Sequence, residues 1–215
     1  MIRFIIYIFG LFNITIGINL SIVSGLGISP VSAFTLPLSQ SLQISLGTIT
    51  TVIYIVFVLV QYLLLKDRFK KKNILQIPFS IVFGFFVNLP GSFMKGIQLN
   101  TYMSQLGILL ISILICAIGA TLYIAMDIVP NAPEGLQLAF CERFNWPFSK
   151  VKMASDCLFV FVGFIIAVLF LNGNTAIREG TILSALLTGK LIGLFSQKVN
   201  PILHKIVFQE DVRIA

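Results

Sequence analysis

A charged side chain beside a long apolar stretch is expensive to desolvate, so such positions mark sites by default. Asp127 closes one apolar run, Glu134 directly follows Pro133, and Arg178-Glu179 precede the run that opens at Gly180-Thr181. Two readings of Glu134 stand open. It is a first-turn carboxylate that suits a helix dipole, or it joins Asp127 in lining a cavity for a cation, a proton or an amine. Arg178 is either an interfacial charge or an anion ligand working with the free N–H groups of the helix start at Thr181. Ser29-Pro30 supplies a second helix start, with Ser29 as N-cap and Pro30 as the first helical residue. Asn131 shares its breaker with Glu134, and Asn19 interrupts the first apolar run. Helix starts facing carboxylates across one space would suit a zwitterion such as an amino acid. Asn13, Gln61 and Asn88 are further polar interruptions, for which hydrogen bonding between helices is the simpler role.

Other chemistries find little support. There is no Walker loop, no H-E-x-x-H and no nucleophile elbow. Cys116, Cys141 and Cys157 form no C-x-x-C, and an odd count suggests neither a disulfide framework nor a metal site. The lone histidine, His204, reads as a solvated tail residue. The expectation is a protein that is not an enzyme and carries no cofactor or metal.

The elements that must position these residues are apolar helices. Hydrophobic residues make up 57% and charged residues 11% of the 215, and mean hydropathy is +0.99. A soluble domain carries about 25% charged residues, so a soluble enzyme, a disordered chain and a coiled coil are excluded. Long apolar runs in place of short alternating strands argue against a β-barrel. Six spanning runs are predicted, at about 4–23, 48–65, 74–89, 105–126, 153–171 and 180–195. The first is too long, and too poor in a cleavage site, to be a signal peptide. Broken, proline-bearing segments follow the first run (31–42) and the fourth (127–152). The stretch Pro90 to Ser104 reads as a polar loop, Asn172-Gly173-Asn174 as a turn, and the residues from Ser196 as a polar tail. Lys152 and Asp156 sit at i,i+4 and suggest a snorkelling pair, with Lys190 as another candidate partner for Asp156. Trp146 is a candidate interfacial anchor.

The net charge of +7 reflects topology, since the cations sit between apolar runs and no nucleic-acid-binding motif accompanies them. The cluster Lys66-Asp67-Arg68-Phe69-Lys70-Lys71-Lys72 belongs in the cytoplasm by the positive-inside rule. With six crossings both termini follow, together with Arg143, Lys150, Lys152, Lys198, Lys205 and Arg213. Only Lys95 and Arg178 remain outside.

The chain also reads as two copies of one pattern: a glycine-bearing helix, a proline breaker, a short segment and two spanning runs. Gly17 and Leu20 match Gly119 and Leu122, Pro30 matches Pro133, and Ile77, Gly84 and Leu89 match Ile182, Gly189 and Leu194. Three crossings per copy turn the second copy upside-down. The expected fold is therefore all-α: six transmembrane helices as two inverted-topology three-helix repeats, 1–100 and 101–200, with a cytoplasmic tail at 201–215 and short broken segments after helices 1 and 4. Inverted repeats are common in secondary transporters, which bind solute near the midplane where helices are interrupted.

Gly25-Leu26-Gly27-Ile28-Ser29-Pro30 and Gly180-Thr181-Ile182-Leu183-Ser184-Ala185-Leu186 resemble the YczE branch of the YczE/YyaS/YitT group of bacterial membrane proteins. The resemblance runs to about residue 200 and implies a bacterial plasma-membrane location without implying an activity. The second breaker, Asp127-Ile128-Val129-Pro130-Asn131-Ala132-Pro133, lacks the glycines of the first. The functional expectation is a small-solute transporter or permease, ion- or proton-coupled. The alternatives are a solute-binding subunit that needs a partner ATPase, and a membrane scaffold. Expected partners are the lipid bilayer, a small solute and, through Gly84 or Gly189, a second copy in a homodimer; nucleic acid is not among them.

Overall fold

In a computed structural model, residues 2–94, 96–173 and 176–207 are described, the side chains of 200, 204 and 206 excepted. Lys95, Asn174, Arg213, the last residues of the tail and the His204 side chain thus lie outside the described residues. Six helical stretches are long and apolar enough to cross a bilayer: Ile2–Ser24, Leu46–Arg68, Lys71–Met94, Tyr102–Ala125, Phe148–Phe170 and Glu179–Leu203. The helices in chain order are α1 (Ile2–Ser24), α2 (Pro30–Leu42), α3 (Leu46–Leu65), α4 (Gln76–Met94), α5 (Tyr102–Ala125), α6 (Ala132–Phe144), α7 (Phe148–Phe170) and α8 (Glu179–Val207). No strand occurs among the described residues, and the protein is an all-helical multi-pass membrane protein. The basic cluster between α3 and α4 is wound into two 3-10 turns, Lys66–Arg68 and Lys71–Leu75. Large apolar side chains such as Phe85, Phe93, Phe161 and Leu169 point outward, as a lipid-facing surface requires.

The central contact is α1 against α5, the most extensively packed helix pair. Glycines bring the backbones together. A Cβ on Gly119 would lie 2.6 Å from the Gly10 carbonyl oxygen and 2.8 Å from Ile14 N. Lipid offers no hydrophobic drive between helices, so close backbone approach of this kind is what holds them. Polar side chains add ties. Asn19 Nδ2 donates across to the Val87 carbonyl of α4 (2.9 Å), and Gly47 N of α3 donates to Asn88 Oδ1 of α4 (2.8 Å). Asn19 and Asn88 are thus helix–helix links.

The two short helices are built alike. Each has 13 residues, each N-cap (Ser29, Asn131) has φ −62° and ψ 153°, and each ends on a left-handed residue, Gln43 or Asn145. Ser29 caps and Pro30 opens α2 as expected. In α6, however, Ala132 occupies the place of Pro30, and Pro133 is one residue further on, so the proline match made in sequence is out of register by one.

Two helices outrun their sequence limits. α4 continues through Pro90 to Met94, and α8 continues through Pro201 to Val207. Pro90 is tolerated because it is buried in the bundle, where Asn19 gives the nearby Val87 carbonyl an extra donor and packs against Gly91; neighbouring helices stabilise prolines in this way. The residues from Ser196 to Val207 are thus helical and not a loose tail. Gly84 is used within the chain, against Gly47 and Thr51, whereas Gly189 meets nothing within 4 Å.

These spacings give a paired prediction. Gly119→Val should force α1 and α5 apart and destabilise by about 1–3 kcal/mol or more, seen as a lower melting temperature in detergent. Gly189→Ala should leave the melting temperature unchanged.

Candidate functional site

After α5 the chain does not stay at the membrane surface. Arg3, in the first turn of α1, donates from Nε to the Met126 carbonyl (2.6 Å) and from Nη2 to the Asp127 carbonyl (2.8 Å). One turn deeper, the Tyr7 hydroxyl donates to the Val129 carbonyl (3.2 Å). The unwound stretch therefore descends along α1. It ends at Asn131, whose side chain interacts with the Tyr54 hydroxyl near the middle of α3. From there α6 returns parallel to the second half of α3: Gly135 packs on Gln61, and further on Ala139 and Leu65 line one cavity. The 126–144 segment is re-entrant, and the first turn of α6 lies deep among the spanning helices.

Glu134 occupies that turn. Its Oε2 is buried with no hydrogen-bond partner among the described residues. The Tyr123 hydroxyl donates a hydrogen bond to the carboxyl, and Tyr7 and Tyr54 are close enough to feel its charge. Burial pushes the Glu134 carboxyl above the ordinary carboxylate range. The Lys152 charge opposes this and Asp156 adds to it. Lys152 is already engaged, with Nζ 3.0 Å from Asp156 Oδ2, which is the snorkelling pair expected from sequence. Lys190, the other candidate partner, is exposed on α8.

Glu134 lines a cavity of about 440 Å³, with Tyr123, Val129, Pro130 and Gly135 around it. Lys70, Lys72, Asp127 and Glu142 line it too and are exposed, so the cavity opens on the face that carries the basic cluster. A volume of this order fits a small solute.

The predicted site residues separate into groups. Asp127 and Glu134 both line this cavity, where Asp127 is held in a left-handed conformation (φ 43°) at the mouth, whereas Asn131 is not a lining residue and spends its side chain on capping α6 and on the Tyr54 hydroxyl. Ser29, Pro30, Arg178 and Thr181 gather beyond the other end of α1. There Arg178 Nη1 donates to the Gly25 carbonyl (3.1 Å) and pairs with Glu179 (3.2 Å), and Thr181 Oγ1 accepts from Ile28 N (3.2 Å). This second group is a sealed junction, with Leu26 and Ile28 almost wholly buried. A helix of 23 residues is ~35 Å long, so one small solute cannot bridge the two groups, and Asn19 belongs to neither.

Sequence reasoning missed the three tyrosines and Gln76, the partner of Gln61 in a glutamine clasp. Gln61 and Gln76 exchange amide hydrogen bonds (3.0 and 3.1 Å), and Gln61 Nε2 also donates to the Ala132 carbonyl at the first residue of α6 (3.3 Å). The signal was a polar tip inside an apolar run, visible for Gln61 but not for a tyrosine, whose ring passes for core.

Residues 1–197 match a protein family described as a family of unknown function (DUF6198). The chain belongs to this family. It is also 24% identical, over 194 residues, to the uncharacterized protein YyaS of Bacillus subtilis (strain 168), covering 90% of this chain and 92% of YyaS. No solved structure matches. The YyaS match bears out the group that the breaker motifs resemble. The family description and the name YyaS carry no activity.

Two predictions follow from the site. A carboxyl whose pKa is raised by folding contributes stability that is complete below its unfolded value, near 4.5, and is lost as pH rises through the folded value. Melting of the wild type should therefore fall with rising pH across that window more steeply than melting of Glu134→Gln. Gln61→Leu should orphan the buried Gln76 amide and destabilise by about 1–3 kcal/mol, and the double variant Gln61→Leu/Gln76→Leu should recover part of that loss in thermal melts.

Proposed function

We propose that this protein is a small-solute membrane transporter, not an enzyme, whose solute site is the α6 cavity with Glu134 at its base. The observation that carries the reading is a buried carboxylate oxygen without a partner, in the first turn of a re-entrant half-helix, beneath a cavity open to one face. Tyr123 gives the carboxyl one donor, yet a purely structural carboxylate would be expected to satisfy both oxygens, because an unsatisfied buried charge is strongly unfavourable. Irregular backbone at membrane depth is tolerated where it lines such a cavity.

In this reading the chain is two inverted three-helix repeats. Support comes from pairs at a constant offset. The caps of α2 and α6 share their dihedral angles. Gly17 packs on the Ser112 carbonyl as Gly119 packs on that of Gly10, and Gly163 packs on Ala33 as Gln61 packs on Gly135. Phe57 and Phe159, which occupy equivalent positions, stack with centroids 5.4 Å apart where a pseudo-two-fold axis would pass. Cys116 Sγ meets the Ile14 carbonyl of its equivalent segment (3.6 Å). Positive-inside bias sets the cavity mouth and both termini in the cytoplasm of a bacterial cell, in the plasma membrane. The α2 junction then forms the closed outer gate. Transport runs on an ion or proton gradient through Glu134.

Reconstituted into liposomes, the wild type should take up a solute identified by thermal-shift screening, and Glu134→Gln should reduce flux at least tenfold while melting as a folded protein. Undiminished flux in Glu134→Gln would overturn the assignment of the site.

A further inference from the structure

Among the described residues, two buried side-chain oxygens have no hydrogen-bond donor: Glu134 Oε2 and Gln137 Oε1. They stand three residues apart on α6, which puts them one turn apart on one face. That face looks toward α7. Gln137 Nε2 donates to Ser155 Oγ (2.8 Å), and the flanking Lys152 and Asp156 act on Glu134. The sense of the Gln137 amide is fixed by its partner. Ser155 uses its own proton on the Lys152 carbonyl (2.9 Å), so toward Gln137 it can only accept. The atom left over on Gln137 is therefore the acceptor oxygen.

Both orphaned atoms are acceptors, and one is a carboxylate oxygen. An anion finds no donor in them, and an apolar solute would leave both unsatisfied. The nearest resident cation, Lys152, is occupied by Asp156. No cluster of three or more His, Cys, Asp or Glu side chains suited to a metal ion occurs among the described residues, so one carboxylate is matched to one positive charge and not to a divalent ion. We infer that the first two turns of α6 bind a monovalent cation between Glu134 Oε2, which lines the cavity, and Gln137 Oε1, which lies beside the cavity lining on the α7 side, either an alkali-metal ion or the ammonium head of a small amine. The inference rests on reading the α6 cavity as a solute site and deepens it by naming the charge of the occupant and a second ligand. Binding competes with protonation of Glu134, so affinity rises with pH. The groups facing that carboxyl are Tyr7 of α1, Tyr54 of α3, Tyr123 of α5, and Lys152 and Asp156 of α7, with Lys70, Lys72, Asp127 and Glu142 lining the cavity.

The test is thermal melting of the purified full chain in detergent, at constant ionic strength balanced with choline chloride. One arm titrates lithium, sodium and potassium chloride, and the other titrates methylammonium and benzylammonium chloride. A saturable rise in melting temperature is expected in one arm, and which arm responds identifies the source of the charge. The rise should vanish in Glu134→Gln. In Gln137→Leu the apparent affinity should fall roughly tenfold, the size of one buried hydrogen bond. Each variant is compared with its own salt-free melt, and calorimetric titration of wild type against Gln137→Leu decides the matter should Glu134→Gln fail to fold. A folded wild type that responds to no cation beyond choline, or a rise that persists in Glu134→Gln, overturns the inference. Cation binding without flux in liposomes would defeat only the transport reading, whereas solute flux with no cation response would defeat only this one.

Discussion

Backbone amides and carbonyls have no water to turn to inside a bilayer, so every unwound residue there needs a protein partner. The stretch after α5 meets that condition through α1. The Arg3 guanidinium takes the carbonyls of Met126 and Asp127, and the Tyr7 hydroxyl takes that of Val129. Without those donors the chain would have no reason to descend, and α6 would lie at the surface with Glu134 in water. The position of α1 is in turn set by the glycine contacts with α5, so the close crossing around Gly10 and Gly119 and the re-entrant segment form one mechanical unit. Gln61, clasped to Gln76, completes it from the α3 side by holding the Ala132 carbonyl.

The short helices α2 and α6 share length and caps yet carry different chemistry. Where α6 presents Glu134, α2 presents Ser32, which accepts a hydrogen bond from the Ser29 hydroxyl (2.9 Å). Where the stretch before α6 opens onto a cavity, the stretch before α2 is packed shut, its Gly27 pressed against Gly180 and Thr181. A Cβ at Gly27 has no room, and its φ of 151° is one that other residues rarely adopt, which accounts for a glycine there and for its absence in the second breaker. Two helices of the same length and cap geometry are thus packed shut at one end and open on a cavity at the other.

Much of this was legible in the sequence, because hydropathy and charge act over long stretches. The six spans, the breaker positions, the Ser29-Pro30 start and the place of Glu134 in a first turn all followed from local chemistry. What was not legible depends on neighbours. Pro90 read as a helix end and Ser196 as the start of a polar tail because a single sequence does not show the packing that carries a helix past such positions. Arg178 and Thr181 left two readings open because an N-terminal cation beside free amides looks the same whether it faces a solute or a Gly25 carbonyl. The tyrosines that surround Glu134 come from three different helices, and no spacing along the chain could group them. The one-residue error in matching Pro30 with Pro133 has the same origin, since identity of residue type was read where identity of backbone conformation mattered.

The pairing of α1 with α5 also bears on how the protein is made. Its two most intimate helices are separated by the whole of α2, α3 and α4. At a synthesis rate of ~5–20 residues per second, α1 waits on the order of ten seconds in the membrane before α5 emerges. Throughout that interval the backbone exposed at Gly10 and Gly17 is without the α5 surface on which it packs. Nascent α1 is therefore the segment on which a membrane insertase or chaperone would act longest, and the re-entrant segment can form only after α1 and α5 have met.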